Sequence, residues 1–196
     1  MVYIGLIDQY LDKLQRTIEA LDRRQLHKLA EVLMDAYQRE ANIFICGNGG
    51  SAMTASHFAC DLNKGVSYGL EKRWKVIALT DNLATIMAYA NDVSYEEIFA
   101  EQLKNFMKPN DILIAISGSG NSINVLKAIQ YAHEKGGITI GLTGFDGGAL
   151  AKAAKIALNA NINDMQISED IHMITSHLIM SVLKQTTPGQ DKAVCL

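Results

Sequence analysis

The 196-residue chain carries 18 Lys and Arg against 21 Asp and Glu, a formal charge of -3, with 48% of its residues hydrophobic and 20% charged. That balance fits one packed α/β domain, excludes a disordered chain and gives no electrostatic reason to expect nucleic acid. Cys46, Cys60 and Cys195 are odd in number and lack a CxxC, no leader pattern opens the chain, and no apolar run approaches the roughly 18 residues of a membrane span. A soluble, untargeted, cytoplasmic protein without membrane contact, disulfide framework or structural zinc site is expected.

Over residues 3–22, Ile7, Leu11, Leu14, Ile18 and Leu21 recur at three- and four-residue steps, which predicts an amphipathic helix. A second helix follows, with Leu26, Leu29, Val32, Leu33 and Ala36 as its apolar stripe. A helical pair ahead of the first strand has to bury its stripes, either on the core or against another subunit. From residue 42 short apolar strands alternate with helices, which argues for a parallel sheet with crossover helices. Strands are expected near 42–46, 75–79, 111–116, 138–143 and 155–159, and helices near 51–62, 83–90, 95–106, 122–135, 148–153 and 169–184. The segment 63–72 has no clear period and reads as a loop. The domain is expected to span 1–184, with residues 1–40 as a helical extension and 185–196 as a loose tail.

Two strand-to-helix turns repeat one design. The first is Gly47-Asn48-Gly49-Gly50-Ser51 after the apolar run 43–46, and the second is Ser117-Gly118-Ser119-Gly120-Asn121-Ser122 after 112–116. Small residues let a ligand approach the backbone, and hydroxyls with amide N–H groups at a helix N-terminus favour an anion. The first turn also satisfies the dinucleotide fingerprint GxGxxA, but the acidic residue wanted about 20 positions on is missing, since Asp81 lies 30 positions after Ser51. No GxxxxGK[ST] exists for a nucleoside triphosphate. One glycine-serine turn alone would be ordinary turn chemistry; two after strands of one sheet point to a monophosphate.

His57 and Asp61 stand one turn apart on the helix that Ser51 opens, so they could share a metal ion or act as a proton-transfer pair. The last helix carries Glu169, Asp170, His172 and His177. His172 and His177 point roughly 140° apart and cannot serve one site, and Glu169 lies roughly 12 Å from His177 along a straight helix. Glu169 reaches the same metal as His177 only from a distorted helix start or from a second subunit.

These residues resemble the sugar isomerase (SIS) fold and, within it, the phosphoheptose isomerases. The resemblance rests on segments 46–51, 56–62, 90–92, 116–122, 142–148 and 169–172 with His177. It implies a three-layer αβα sandwich with a five-stranded parallel sheet, flavodoxin-like, plus N-terminal helices, assembled as a homotetramer with active sites at subunit interfaces. It further implies that Asn48, Gly49, Gly50, Ser51, Asp81, Asn91, Asp92, Ser117, Ser119, Asn121 and Ser122 hold the phosphorylated sugar. His57, Asp61, Glu169 and His177 would form the zinc site, with Asp61, Glu169 and His177 catalytic. The reaction implied is conversion of sedoheptulose 7-phosphate to D-glycero-D-manno-heptose 7-phosphate through an enediol, an early step toward nucleotide-activated heptose for a surface polysaccharide. A non-catalytic SIS module, or an isomerase of another sugar phosphate, is the alternative. The chain departs from the family pattern at Asp61 (usually Glu), Glu169 (usually Gln), Gly118 (Thr), Gln166 (Asp) and at Lys64-Gly65, where an arginine is usual.

Overall fold

The computed structural model describes residues 2–189. Helix α1 (Val2–Glu19) and helix α2 (Arg23–Arg39) precede strand β1 (Asn42–Gly47). The chain then runs through α3 (Gly50–Cys60), β2 (Lys75–Ala78), α4 (Leu83–Asp92), α5 (Ala100–Phe106), β3 (Ile112–Ser117), α6 (Ile123–Glu134), β4 (Ile138–Thr143), α7 (Gly148–Ala153), β5 (Ile156–Asn159) and α8 (Met165–Thr186). The five strands are parallel in the order β2-β1-β3-β4-β5. The expected five-stranded α/β architecture is therefore present. Cys195 and the end of the expected tail lie outside the described residues.

Alternation along the strands decides which helix covers which face. Ile43 and Ile45 of β1 and Ile112, Ile114 and Ile116 of β3 point to one side, where α2, α3 and α8 pack through Leu29, Leu33, Phe58, Ile179 and Leu183. Phe44 and Cys46 with Leu113 and Ala115 point to the other, against Leu103 of α5, Val125 and Ile129 of α6 and Leu150 of α7. Both faces of β3 are covered, so all six of its residues are buried and its sequence is a continuous apolar run. Burial also pushes the Cys46 thiol up to about 12, which keeps it a neutral core residue.

Two expectations are corrected. Residues 61–66 are a π-helix that continues α3, whereas 63–72 was expected to be a loop. Leu62 and Val66 are buried one turn apart, Gly65 lets Met180 of α8 come close, and Asn63 bonds the backbone of edge strand β2 at Val76 through both its amide atoms. Helix α8 begins at Met165, four residues before the expected start. Asp164 caps it by accepting from Ile167 N–H at 3.2 Å, and the Lys13 ammonium 2.8 Å away holds that carboxyl below its usual range.

Helix α1 lies across the start of α8, tied by Lys13 to Asp164 and by Tyr10 Oη donating to Asp170 at 2.6 Å, a bond that pushes the Tyr10 hydroxyl up to about 12. Its outer stripe is bare in the single chain, with Ile4 61%, Ile7 56% and Leu11 55% exposed. Helix α4 buries no residue at all, although it carries Leu83 and Met87. Among the described residues no helix is long and apolar enough to cross a membrane.

Candidate active site

In the strand order β2-β1-β3-β4-β5 the chain reverses its direction of travel between β1 and β3. At such a switch point the connections leave to opposite faces, and a crevice opens outside the carboxyl ends of the strands. Both glycine-serine turns lie there, one after β1 and one after β3. Gly47 allows α3 to start hard against the strand end, since a methyl at Gly47 would stand 2.8 Å from Ser51. Gly49 takes φ +54 and caps α3 without a side chain. Ser122 precedes α6 and makes no capping bond, so the first N–H groups of both helices face the crevice unclaimed by a capping side chain.

Around the second turn Ser117 Oγ and Ser122 Oγ lie 3.1 Å apart, and Asn121 N–H donates to Ser119 Oγ. The Asn121 side-chain oxygen Oδ1 accepts from Ala149 N–H at 3.0 Å, which ties this turn to the start of α7. Asn48 of the first turn pairs amide to amide with Asn124 on α6, at 2.8 and 2.9 Å, and accepts from Tyr95 Oη at 3.0 Å. The two turns are thus cross-linked through Asn48. Asp81, past the end of β2, accepts from Ser56 Oγ on α3. Asn91 donates to its neighbour Asp92 at 2.7 Å, and both are exposed at the end of α4.

His57, Asp61 and His177 come together, with one potential ligand atom from each lying within 4.8 Å of the others. His57 Nε2 and His177 Nε2 are 2.8 Å apart with the rings edge to face, and Asp61 Oδ2 lies 3.3 Å from His57 Nε2. That buried carboxylate oxygen makes no hydrogen bond. Two imidazole nitrogens and an orphaned carboxylate oxygen converging on one point form a donor set that suits a divalent metal such as zinc.

Glu169 does not join this group within one chain, so its expected place among the four ligands would have to come from a second subunit. Helices α3 and α8 run side by side, with Gly50 beside Glu169 and His57 beside His177. A methyl at Gly50 would stand 2.7 Å from both Glu169 oxygens. From Gly50 to His57 the helix rises by roughly 10 Å, so the carboxylate sits at the far end, beside the first turn. Because α8 is already regular at residue 169, no distorted start brings it back.

His172 points the opposite way, into the packing between α8 and the sheet. It is buried, its ring nitrogens lack well-formed hydrogen bonds, and burial pushes its pKa below 6.5, opposed by the nearby Thr143 backbone. Sequence reasoning missed Asn124 and Tyr95. Asn124 follows Ser122 by two residues and could have been included with its turn; Tyr95 belongs to no periodic pattern.

Comparison with known proteins agrees with this geometry. Residues 9–144 match the family model of the SIS domain. The chain is 35% identical over 192 residues to a phosphoheptose isomerase of Shewanella denitrificans, covering 95% of this chain and 97% of that one. It is 32% identical over 185 residues to a probable phosphoheptose isomerase of Thermoplasma volcanium, with 93% and 94% covered. The solved phosphoheptose isomerase of Francisella tularensis superposes with a TM-score of 0.85 at 28% identity, covering 95% of this chain and all of that one.

Proposed function

The chain belongs to the phosphoheptose isomerases of the SIS-domain family, and from that premise we propose that it converts sedoheptulose 7-phosphate to D-glycero-D-manno-heptose 7-phosphate. The observation that carries this reading is a pair of open helix N-termini at the switch point with the His57–Asp61–His177 group one helix length away. The substrate phosphate sits on Ser117, Ser119, Ser122 and the first N–H groups of α6. The Glu169 carboxylate already brings negative charge to the start of α3, so the second turn is the better anion seat.

Moving a carbonyl from C2 to C1 requires removal of a carbon-bound proton at C1, stabilisation of the enediol oxygen and return of a proton to C2. Asp61 is the carboxylate placed to take the proton and return it on the same face. His177 exchanges a proton with the C1 and C2 oxygens as the carbonyl moves. Asn48 and Ser51 orient the chain between the two ends. His57, Asp61 and His177 would hold a zinc ion, which when bound supplies polarisation of the carbonyl and hydroxyl oxygens.

We extend the reading to a single SIS domain with a helical extension, working in the cytoplasm as a homotetramer. The bare stripe of α1 and the exposed Leu83 and Met87 of α4 support an assembly, because both helices present apolar residues that a partner would bury. The deciding assay is turnover of sedoheptulose 7-phosphate and a panel of other ketose phosphates, with and without zinc. Zinc-dependent turnover greatest on the seven-carbon substrate is expected. Absence of any aldose product under both conditions would overturn the proposal.

A further inference from the structure

We infer that Tyr95 is a further recognition residue of this site, its hydroxyl oxygen held by Asn48 as an acceptor for a hydroxyl of a polyol chain. The inference rests on the sugar-phosphate reading above and adds to it a residue that the two glycine-serine turns do not contain. Hydrogen-bond polarity fixes the arrangement. Val125 N–H can only donate, and it donates to Asn124 Oδ1 at 2.9 Å, so the Asn124 amide has one orientation. Asn48 Nδ2 donates to that same oxygen and Asn48 Oδ1 accepts from Asn124 Nδ2, which settles the Asn48 amide in turn.

Tyr95 Oη then has to spend its proton on Asn48 Oδ1, 3.0 Å away. Asn48 Oδ1 now takes two donors and has no lone pair left for a ligand. What remains for a ligand is the second N–H of Asn48, on the amide edge away from Oδ1, and the lone pairs of Tyr95 Oη. An oxygen that has spent its own proton on Asn48 asks a ligand hydroxyl to donate, and inorganic phosphate seated on the second turn does not draw on Tyr95, which stands at the first.

The turn bearing Tyr95 is held in place from the same helix that orients Asn48. Tyr95 opens a 3₁₀ turn, Tyr95–Glu97, and Lys127 of α6 bridges Glu96 at 2.8 Å and Glu97 at 2.6 Å. Asn124 and Lys127 are three residues apart, on one face of α6. The ring stands over the first turn with 56% of its surface exposed, so its hydroxyl is open to a ligand.

The test is calorimetric binding of sedoheptulose 7-phosphate and of inorganic phosphate to wild-type protein and to Tyr95→Phe, which removes one oxygen and keeps the ring. Sugar-phosphate binding is expected to weaken about five- to tenfold, the loss of one partly exposed hydrogen bond. Inorganic phosphate affinity is expected to stay within about twofold, as for a bond this ligand never makes. Lys127→Met is expected to weaken the sugar phosphate in the same selective way, and Lys127→Arg to restore it. Unchanged sugar-phosphate binding in Tyr95→Phe, or a parallel loss of inorganic phosphate, overturns the inference. Wild-type binding without turnover removes the isomerase reading alone and leaves the Tyr95 comparison standing.

Discussion

Two glycines in the crevice separate backbone strain from close approach. Gly120 takes φ +67, and a methyl there would drive into the carbonyl of Gly147, a backbone atom in the turn that opens α7. That turn is also bonded to the phosphate loop, through Leu150 N–H to the Gly120 carbonyl at 2.9 Å and Ala149 N–H to Asn121. Gly120→Ala therefore costs about 1–2 kcal/mol for a residue at positive φ plus about 1–3 kcal/mol of overpacking, roughly 2–5 kcal/mol together. For a chain of this length, that lowers the melting temperature by roughly ten degrees. Gly49 takes φ +54 but has nothing within 4 Å, so Gly49→Ala costs only its strain, about 1–2 kcal/mol and a few degrees. Calorimetric melting reads the difference, and inhibition by inorganic phosphate reads the loop. Gly120→Ala should lose phosphate inhibition by at least about tenfold, as expected when a preorganised cradle is displaced. A Gly120→Ala protein that melts no lower than Gly49→Ala, with phosphate inhibition intact, would refute the reasoning.

The proposed zinc site is tested by zinc titration of His57→Ala, which should bind at least about 100-fold more weakly than wild type because one of the three proposed ligands is gone; equal affinity would remove His57 from the site. His172 makes stability depend on pH. Its folded pKa lies below 6.5, so above that pH both states hold it neutral, and as pH falls below it the unfolded chain gains a proton first. The urea midpoint should fall on acidification below pH 6.5, and by less in His172→Gln; identical pH profiles would contradict the burial argument. The bare stripe of α1 is tested with Ile7→Asp and Leu11→Asp together. Both side chains are exposed in one chain, so the variant should keep its circular dichroism and elute as a smaller species by light scattering. An unchanged assembly would place the interface elsewhere.

The sequence made the sheet legible because a parallel strand covered on both faces has to be apolar throughout, as Ile112 to Ile116 are. The two turns were legible as a pair, because one glycine-serine turn is ordinary but two after strands of one parallel sheet share its carboxyl end. His57 and Asp61 were paired correctly by helical spacing, but their meeting with His177 needed the parallel docking of α3 on α8, a tertiary fact no local period encodes. The same docking explains Glu169: spacing alone already kept it from His177, and only the packing reveals Gly50 as its neighbour. The part of the π-helix at 63–66 was read as a loop because its wider period leaves no 3.6-residue signature, and Tyr95 was invisible because its partner Asn48 lies 47 residues away.

The central claim is proton transfer at C1 and C2 by side chains open to water, and it is tested by running the reaction in D2O with zinc and following the product by NMR. Asp61 is half-buried beside exposed His57 and His177, so the proton it takes from C1 exchanges with solvent before it is returned to C2. The account predicts heptose 7-phosphate carrying deuterium at C2, formed by wild type and lost in Asp61→Asn. Product formed with hydrogen alone at C2, or turnover that survives in Asp61→Asn, would contradict it.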